Sequence, residues 1–243
     1  MLPLAYFPTK VVFVDDNYDF LNFIMNTLNQ SKRQFMGFGE VKDAITYLND
    51  VYKPDYYLNR YTSLVDEPAY ENRTINIEIY NIHHEVYNKE RFKQISTLVI
   101  DYDMSYMNGI DACKMIKDPY VQKILLTSMA DENVAIQGFN DGVIDYYLRK
   151  DDPKLAEKME ALLNKAQENY FKLISTNIAK LITWKDWRPS ALQDPVYQQL
   201  LKEIIKKYDI VEYYIIETAG SYLLLMMKQW IHLPERHFIQ IVT

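Results

Sequence analysis

The sequence predicts an α/β protein: a parallel sheet covered by helices on both faces, then a long helix and a small α+β region. Three observations carry this prediction. Short β-branched apolar runs recur as VVFVD (11–15), TLVID (97–101) and KILLTS (123–128). Segments with apolar residues at helical spacing alternate with these runs. After Pro153, apolar residues return every three or four positions from Leu155 to Leu181.

Each element has its own signal. VVFVD is continuous rather than alternating, as in a strand buried on both faces. Phe20, Leu21, Phe23, Ile24 and Leu28 mark a helix over 16–30. QFMGFGE (34–40) reads as a second strand, and VKDAITYLND as the helix after it. Residues 52–94 break the rhythm: they are rich in Tyr, Asn and Asp and too long for an ordinary connection. They read as an insertion with structure of its own, with a strand at INIEI (75–79) and a helix at HHEVYNKERF (83–92). The alternation resumes with TLVID, the helix GIDACKMIKD, the strand KILLTS, the helix DENVAIQGFNDG closed by Gly142, and the strand IDYYL (144–148).

The long helix exceeds what one side of a small sheet requires at about 1.5 Å per residue. It is expected to leave the first domain and link or pair with something else. A break near Ser175-Thr176-Asn177 is the alternative. WKDWRPSALQDP (184–195) is a polar connector, and VYQQLLKEIIKKY an amphipathic helix. VEYYIIE (211–217) and SYLLLMM (221–227) flank Thr-Ala-Gly as a hairpin. Lacking simple alternation, this hairpin is expected to be covered on both faces. FIQIV runs almost to the last residue, so it either pairs in a sheet or marks a chain cut short. The expected division is 1–152 with an insertion at about 52–94, 153–183 as a linking helix, and 184–243 as the α+β region.

Composition narrows the function. The chain has 243 residues, 49% hydrophobic, which is enough for a proper core. A net charge of −6 argues against broad nucleic-acid or membrane-surface binding. The charge is uneven: residues 1–153 carry a net of −8 and residues 154–243 a net of +2. The single cysteine, Cys113, excludes an internal disulfide framework and a cysteine zinc cage. It lies on the expected buried face of a helix and reads as core. No apolar run approaches the roughly 18–20 residues of a membrane span. The start, MLPLAYFPTK, has no basic n-region with a long apolar stretch behind it. A cytoplasmic protein without membrane partners is the expectation.

The chemistry concentrates at the carboxyl ends of the strands, where parallel α/β sheets build their sites. The first strand ends in Asp15-Asp16, the third in Asp101, the fourth in Thr127-Ser128, and the fifth near Lys150. Three carboxylates in one crevice repel, and a hard divalent cation such as Mg²⁺ relieves that repulsion. A carboxylate beside such a cation can attack a phosphoryl group in line and become an acyl phosphate. Thr127 can hydrogen-bond a phosphoryl oxygen, and Lys150 can pair with its charge. Each residue has a plain alternative as a solvated strand end; the ordered set does not.

Two aspartyl-phosphate families are relevant. D-Y-D-M-S (101–105) is similar to the nucleophile motif of haloacid-dehalogenase-type phosphatases, which would make Asp101 the nucleophile and Asp103 the general acid. In that family, however, the metal-binding acid pair follows the lysine, whereas Asp15-Asp16 here precedes everything. The order matches response-regulator receiver domains instead. Residues 10–165 resemble them through VVFVDDN, VIDYDMSYMNGID, LLTS and DYYLRK. The resemblance implies a doubly wound, five-stranded parallel sheet in flavodoxin-like order 2-1-3-4-5. It makes Asp101 the phosphoacceptor, Thr127 and Tyr147 the switch pair, and Lys150 the conserved-type lysine. It further implies Mg²⁺ held by Asp16 directly, by Asp15 partly through water, by the backbone carbonyl of Asp103, and with Asp101 among the metal residues. Three departures stand out: Ser105 replaces a proline, Asp151 replaces another, and the 52–94 insertion is far longer than usual.

The expected function is therefore a phosphorylation-dependent signalling regulator rather than an enzyme. It would take phosphate from a sensor histidine kinase or phosphotransfer protein and switch protein contacts or homodimerisation. A phosphatase using Asp101 and a DNA-binding transcriptional regulator are the alternatives. No helix-turn-helix is recognisable, and Lys202, Lys206 and Lys207 read first as a solvated helix face, so nucleic acid is not indicated. His83-His84 read as surface residues of the insertion, and Trp184 and Trp187 as packing at a domain junction.

Overall fold

Runs that are apolar on every residue need cover on both faces, and the strands of the first compact unit receive it. The structure, a computed structural model, describes residues 2–28, 33–52, 61–67, 72–128, 132–184, 191–228 and 235–241. Its residues group into two compact units: 9–54 with 92–170, and 1–8 with 55–91 and 171–243.

The first unit is the predicted parallel sheet. Its strands are β2 (Thr9–Val14), β3 (Arg33–Phe38), β6 (Ile95–Asp101), β7 (Gln122–Thr127) and β8 (Tyr146–Arg149). They lie in the order β3-β2-β6-β7-β8, all parallel, which is the 2-1-3-4-5 order. Strand alternation sorts the side chains between two cores. Val11, Phe13 and Val99 pack on one face with Leu21 and Ile24 of helix α1 (Tyr18–Thr27). The same face takes Leu155, Met159 and Leu163 from helix α5 (Leu155–Trp184). Val12, Val14 and Leu98 pack on the other face, against α2 (Val41–Thr46) and α3 (Gly109–Met115). Cys113 is fully buried there, and burial pushes its thiol up to about 12, so it is core as expected. Helix α4 (Glu132–Asn140) ends where Gly142 adopts φ +70°, which brings the Val143 amide to the Gly138 carbonyl at 2.9 Å.

Helix α5 is unbroken for 30 residues. The expected weak point, Ser175-Thr176, does not break it. Both hydroxyls donate back to carbonyls four residues earlier, Ser175 to Phe171 and Thr176 to Lys172, so their polar groups are satisfied within the helix. Residues up to Tyr170 group with the parallel-sheet unit and those from Phe171 with the second. The boundaries at 152 and 183 read from the sequence therefore differ from this grouping, because one continuous helix serves both units.

The second unit holds a four-stranded antiparallel sheet in the order β1-β9-β10-β11. Its strands are β1 (Ala5–Tyr6), β9 (Ile210–Ile215), β10 (Tyr222–Lys228) and β11 (Glu235–Ile241). The hairpin expected around Thr-Ala-Gly is β9–β10, and every residue of β9 is buried, so both its faces are covered. The late apolar strand pairs with β10. The sequence gives no hint that Ala5–Tyr6 joins this sheet. Tyr6 stacks on Tyr213 at 5.3 Å, and Phe7 meets Phe171 edge-on at 4.6 Å. Within the inserted segment, β4 (Thr62–Glu67) pairs with β5 (Asn72–Ile77). The strand expected at 75–79 thus begins and ends earlier, and the expected helix at 83–92 is two 3₁₀ segments, Ile79–Tyr87 and Lys89–Lys93.

Arg91 and Glu212 form a deeply buried ion pair at 3.0 Å, and the Tyr214 hydroxyl donates to the same Glu212 oxygen at 2.8 Å. Helix α6 (Pro195–Lys207) starts at Asp194, whose side chain caps the Val196 amide. Lys202, Lys206 and Lys207 lie on its exposed side, as a solvated face would. His83 and His84 stand ring to ring at 4.6 Å; burial and the neighbouring His84 lower the His83 pKa. Trp184 is the last residue of α5, and Trp187 lies outside the described residues. No helix of the described residues is long and apolar enough to cross a membrane.

Candidate functional site

Strand register decides which side chains meet. Val14 pairs with Ile100, Asp101 with Leu126, and Thr127 with Arg149. One step past Val14 and Arg149, the chain places Asp15 and Lys150 beside Asp101 at the carboxyl end of the sheet. The ladder continues there: the Tyr102 amide bonds the Leu126 carbonyl at 2.8 Å, and the Lys150 amide bonds the Thr127 carbonyl at 3.0 Å.

The carboxylates of Asp15, Asp16 and Asp101 offer oxygens that all lie within 4.8 Å of one another. Asp15 and Asp101 are buried, and Asp16 is exposed. At an effective dielectric near 20, two such charges repel by about 3–4 kcal/mol. The Lys150 ammonium meets this repulsion, 2.6 Å from Asp15 and 2.8 Å from Asp101. It also lies over the Phe20 ring at 4.9 Å. Burial raises the Asp101 pKa, against the opposing hydrogen bond and charge of Lys150. Burial alone would lower the Lys150 pKa, but its hydrogen bonds to Asp101 and Asp15 and their charges outweigh this, leaving it above its ordinary value.

The loop after β6 is tied down locally. The Gly109 amide returns to the Tyr102 carbonyl at 2.9 Å, and the Asn108 side chain caps α3 through the Asp111 amide. Gly109 lies against the backbone of Asp101: a Cβ there would sit 2.3 Å from the Asp101 carbonyl oxygen and 2.8 Å from Leu125. Gly109→Ala is expected to cost about 1–3 kcal/mol in urea unfolding, because both neighbours belong to the packed sheet. A change below about 0.5 kcal/mol would show instead that the loop yields.

Four of the residues singled out from the sequence are thus gathered: Asp15, Asp16, Asp101 and Lys150. Thr127 is fully buried, and its hydroxyl donates to the Ser128 carbonyl at 3.0 Å rather than to the acidic group. Tyr147 is half-buried against the core on the α2–α3 face. Asp103 is exposed, and its carboxylate lies outside the acidic cluster. The sequence reading missed two contacts. The Asn17 amide donates to Asp15 at 2.9 Å, and the Ser105 hydroxyl donates to Asp16 at 2.7 Å. The first is a local turn between residues two apart; the second joins loops that follow different strands, and no local pattern in the chain marks it.

The donor set suits a hard divalent cation: three carboxylates converge, all their ligand atoms are oxygen, and a single ammonium faces two of them.

No protein-family model matches the chain, and no curated protein matches it. Solved structures do. The chain is similar to the Legionella pneumophila response regulator LqsR, with 32% identity and a TM-score of 0.73 over 92% of this chain. It spans 64% of that protein's length. It also matches an adenylate cyclase from Rhodopirellula baltica at 18% identity and a TM-score of 0.49, over 72% of this chain and 97% of that one. A receiver domain protein from Clostridium thermocellum matches at 19% identity and a TM-score of 0.44, over 68% of this chain and 98% of that one.

Proposed function

We propose that this chain carries a receiver domain of the response-regulator family and is a signalling protein controlled by phosphorylation of Asp101, a reading supported by the sheet order and the likeness to LqsR. The observation that carries this reading is the convergence of Asp15, Asp16 and Asp101 within 4.8 Å, with Lys150 bridging two of them. In the proposed step, an Asp101 carboxylate oxygen forms a bond to the phosphorus of the donor as the bond to the leaving group breaks. The donor is a phosphohistidine on a sensor histidine kinase or a phosphotransfer protein. Mg²⁺ would be held by Asp15, Asp16, Asp101 and the Asp103 carbonyl, and would neutralise phosphoryl charge. Lys150 keeps its ammonium beside Asp101 and pairs with the incoming phosphoryl group.

The Thr127 hydroxyl then leaves the Ser128 carbonyl for a phosphoryl oxygen, and Tyr147 follows it inward. New hydrogen bonds made in one state alone supply the differential affinity that a switch requires. The readout is a change in protein contacts or homodimerisation, in the cytoplasm, and the protein does not turn over a substrate.

Incubation with acetyl phosphate and Mg²⁺, followed by intact-mass measurement, tests this reading. One stable phosphoryl group per chain is expected. Repeated turnover of a small phosphate ester would instead establish the phosphatase alternative.

A further inference from the structure

We propose that Ser105 is a positioning residue for the cation-binding carboxylates, its hydroxyl holding Asp16 turned toward Asp15 and Asp101 before a cation arrives. The proposal rests on the phosphoacceptor reading above. Its first support is direct: the Ser105 hydroxyl donates to one Asp16 carboxylate oxygen at 2.7 Å. Its second is the division of labour around the acids. Lys150 bridges Asp15 and Asp101 at 2.6 and 2.8 Å, and its ion pairs do not extend to Asp16. Asp16 is exposed, so burial does not fix its side chain, and two like charges push it toward solvent. Its oxygen nevertheless stays within 4.8 Å of theirs.

The position of the Ser105 hydroxyl is itself set by the fold. The loop that carries it is anchored at both ends, by the Tyr102 amide on Leu126 and the Gly109 amide on Tyr102. Between those anchors Met104 is buried in the core of the α2–α3 face. The neighbouring serine thus projects from a fixed backbone. A hydroxyl donates to one carboxylate oxygen and leaves the lone pairs of the other free for a cation. A proline side chain at this position has no donor to offer. Groups that hydrogen-bond a metal-binding carboxylate fix its orientation, and losing one costs roughly 10–100-fold in metal affinity.

Calorimetric titration of Mg²⁺ into the full chain tests the proposal, using wild type, Ser105→Ala, Ser105→Thr and Asp16→Asn. Ser105→Ala is expected to weaken Mg²⁺ binding about tenfold, with its Mg²⁺-free unfolding temperature unchanged. Ser105→Thr, which keeps the hydroxyl, is expected to restore the affinity. Wild-type binding that disappears in Asp16→Asn but is equal or tighter in Ser105→Ala overturns the role of Ser105 and leaves the phosphoacceptor reading standing. A wild-type chain that binds no Mg²⁺ overturns both.

Discussion

Asp101→Asn is expected to lower phosphoryl incorporation from acetyl phosphate by at least about a thousandfold, because removing a nucleophile leaves the rest of a site little to act through. The amide has nearly the shape of the carboxylate but not its nucleophilic charge. It should not harm the fold. Burial already raises the Asp101 pKa, so the ionised side chain is held there at a cost that Lys150 offsets. A neutral amide removes the buried charge, and Lys150 keeps its pairing with Asp15 at 2.6 Å. Thermal unfolding of the variant should therefore match or exceed wild type, which separates lost chemistry from lost structure. If Asp101→Asn takes up phosphate as wild type does in the presence of Mg²⁺, Asp101 is not the acceptor.

The second large effect lies in the other unit. Arg91→Met should destabilise it by about 3–5 kcal/mol, the range for removing one partner of a buried ion pair. Glu212 is fully buried, and its carboxylate takes both the Arg91 guanidinium and the Tyr214 hydroxyl. Without the arginine, Glu212 keeps a buried negative charge and loses this cation. The Tyr214 pKa is raised well above its ordinary value, first by the burial of Tyr214 itself and next by the Glu212 charge. Arg91→Met combined with Glu212→Leu should recover much of the loss, since an apolar pair of similar volume can replace a buried ion pair. Urea unfolding of the single and double variants reads this directly. A single-variant loss below about 1 kcal/mol would mean that water reaches Glu212.

The parallel sheet was legible because its signals are local. Val11 to Val14 and Leu98 to Ile100 are apolar at every position, and such runs fit few places other than a strand covered on both faces. The grouping of Asp15, Asp16, Asp101 and Lys150 was legible for the same reason: each sits at the end of such a strand, and in a parallel sheet those ends fall together. The strand order came with the family resemblance. The inserted segment was harder to read. Its polar, tyrosine-rich composition has no strong period, so its pattern points to 75–79 for a strand that spans Asn72–Ile77 and to one helix where two 3₁₀ segments lie. The length of helix α5 is legible, but sequence patterning does not reveal that the Ser175 and Thr176 hydroxyls are satisfied by carbonyls one turn back without breaking it.

The sequence by itself determined the α/β class, the strands that carry acid at their tips and the burial of Cys113. Each follows from the periodicity or motif order of consecutive residues. Tertiary structure alone decided that residues 5–6 join a sheet with residues more than two hundred positions later, as in the pairing of Ala5 with Tyr214. It alone paired Arg91 with Glu212, and it alone brought the Ser105 hydroxyl to Asp16, 89 positions away. The physical reason is the same in each case. A hydrogen bond or ion pair between distant segments depends on where packed backbones place two side chains, and neither residue type nor local spacing carries that distance.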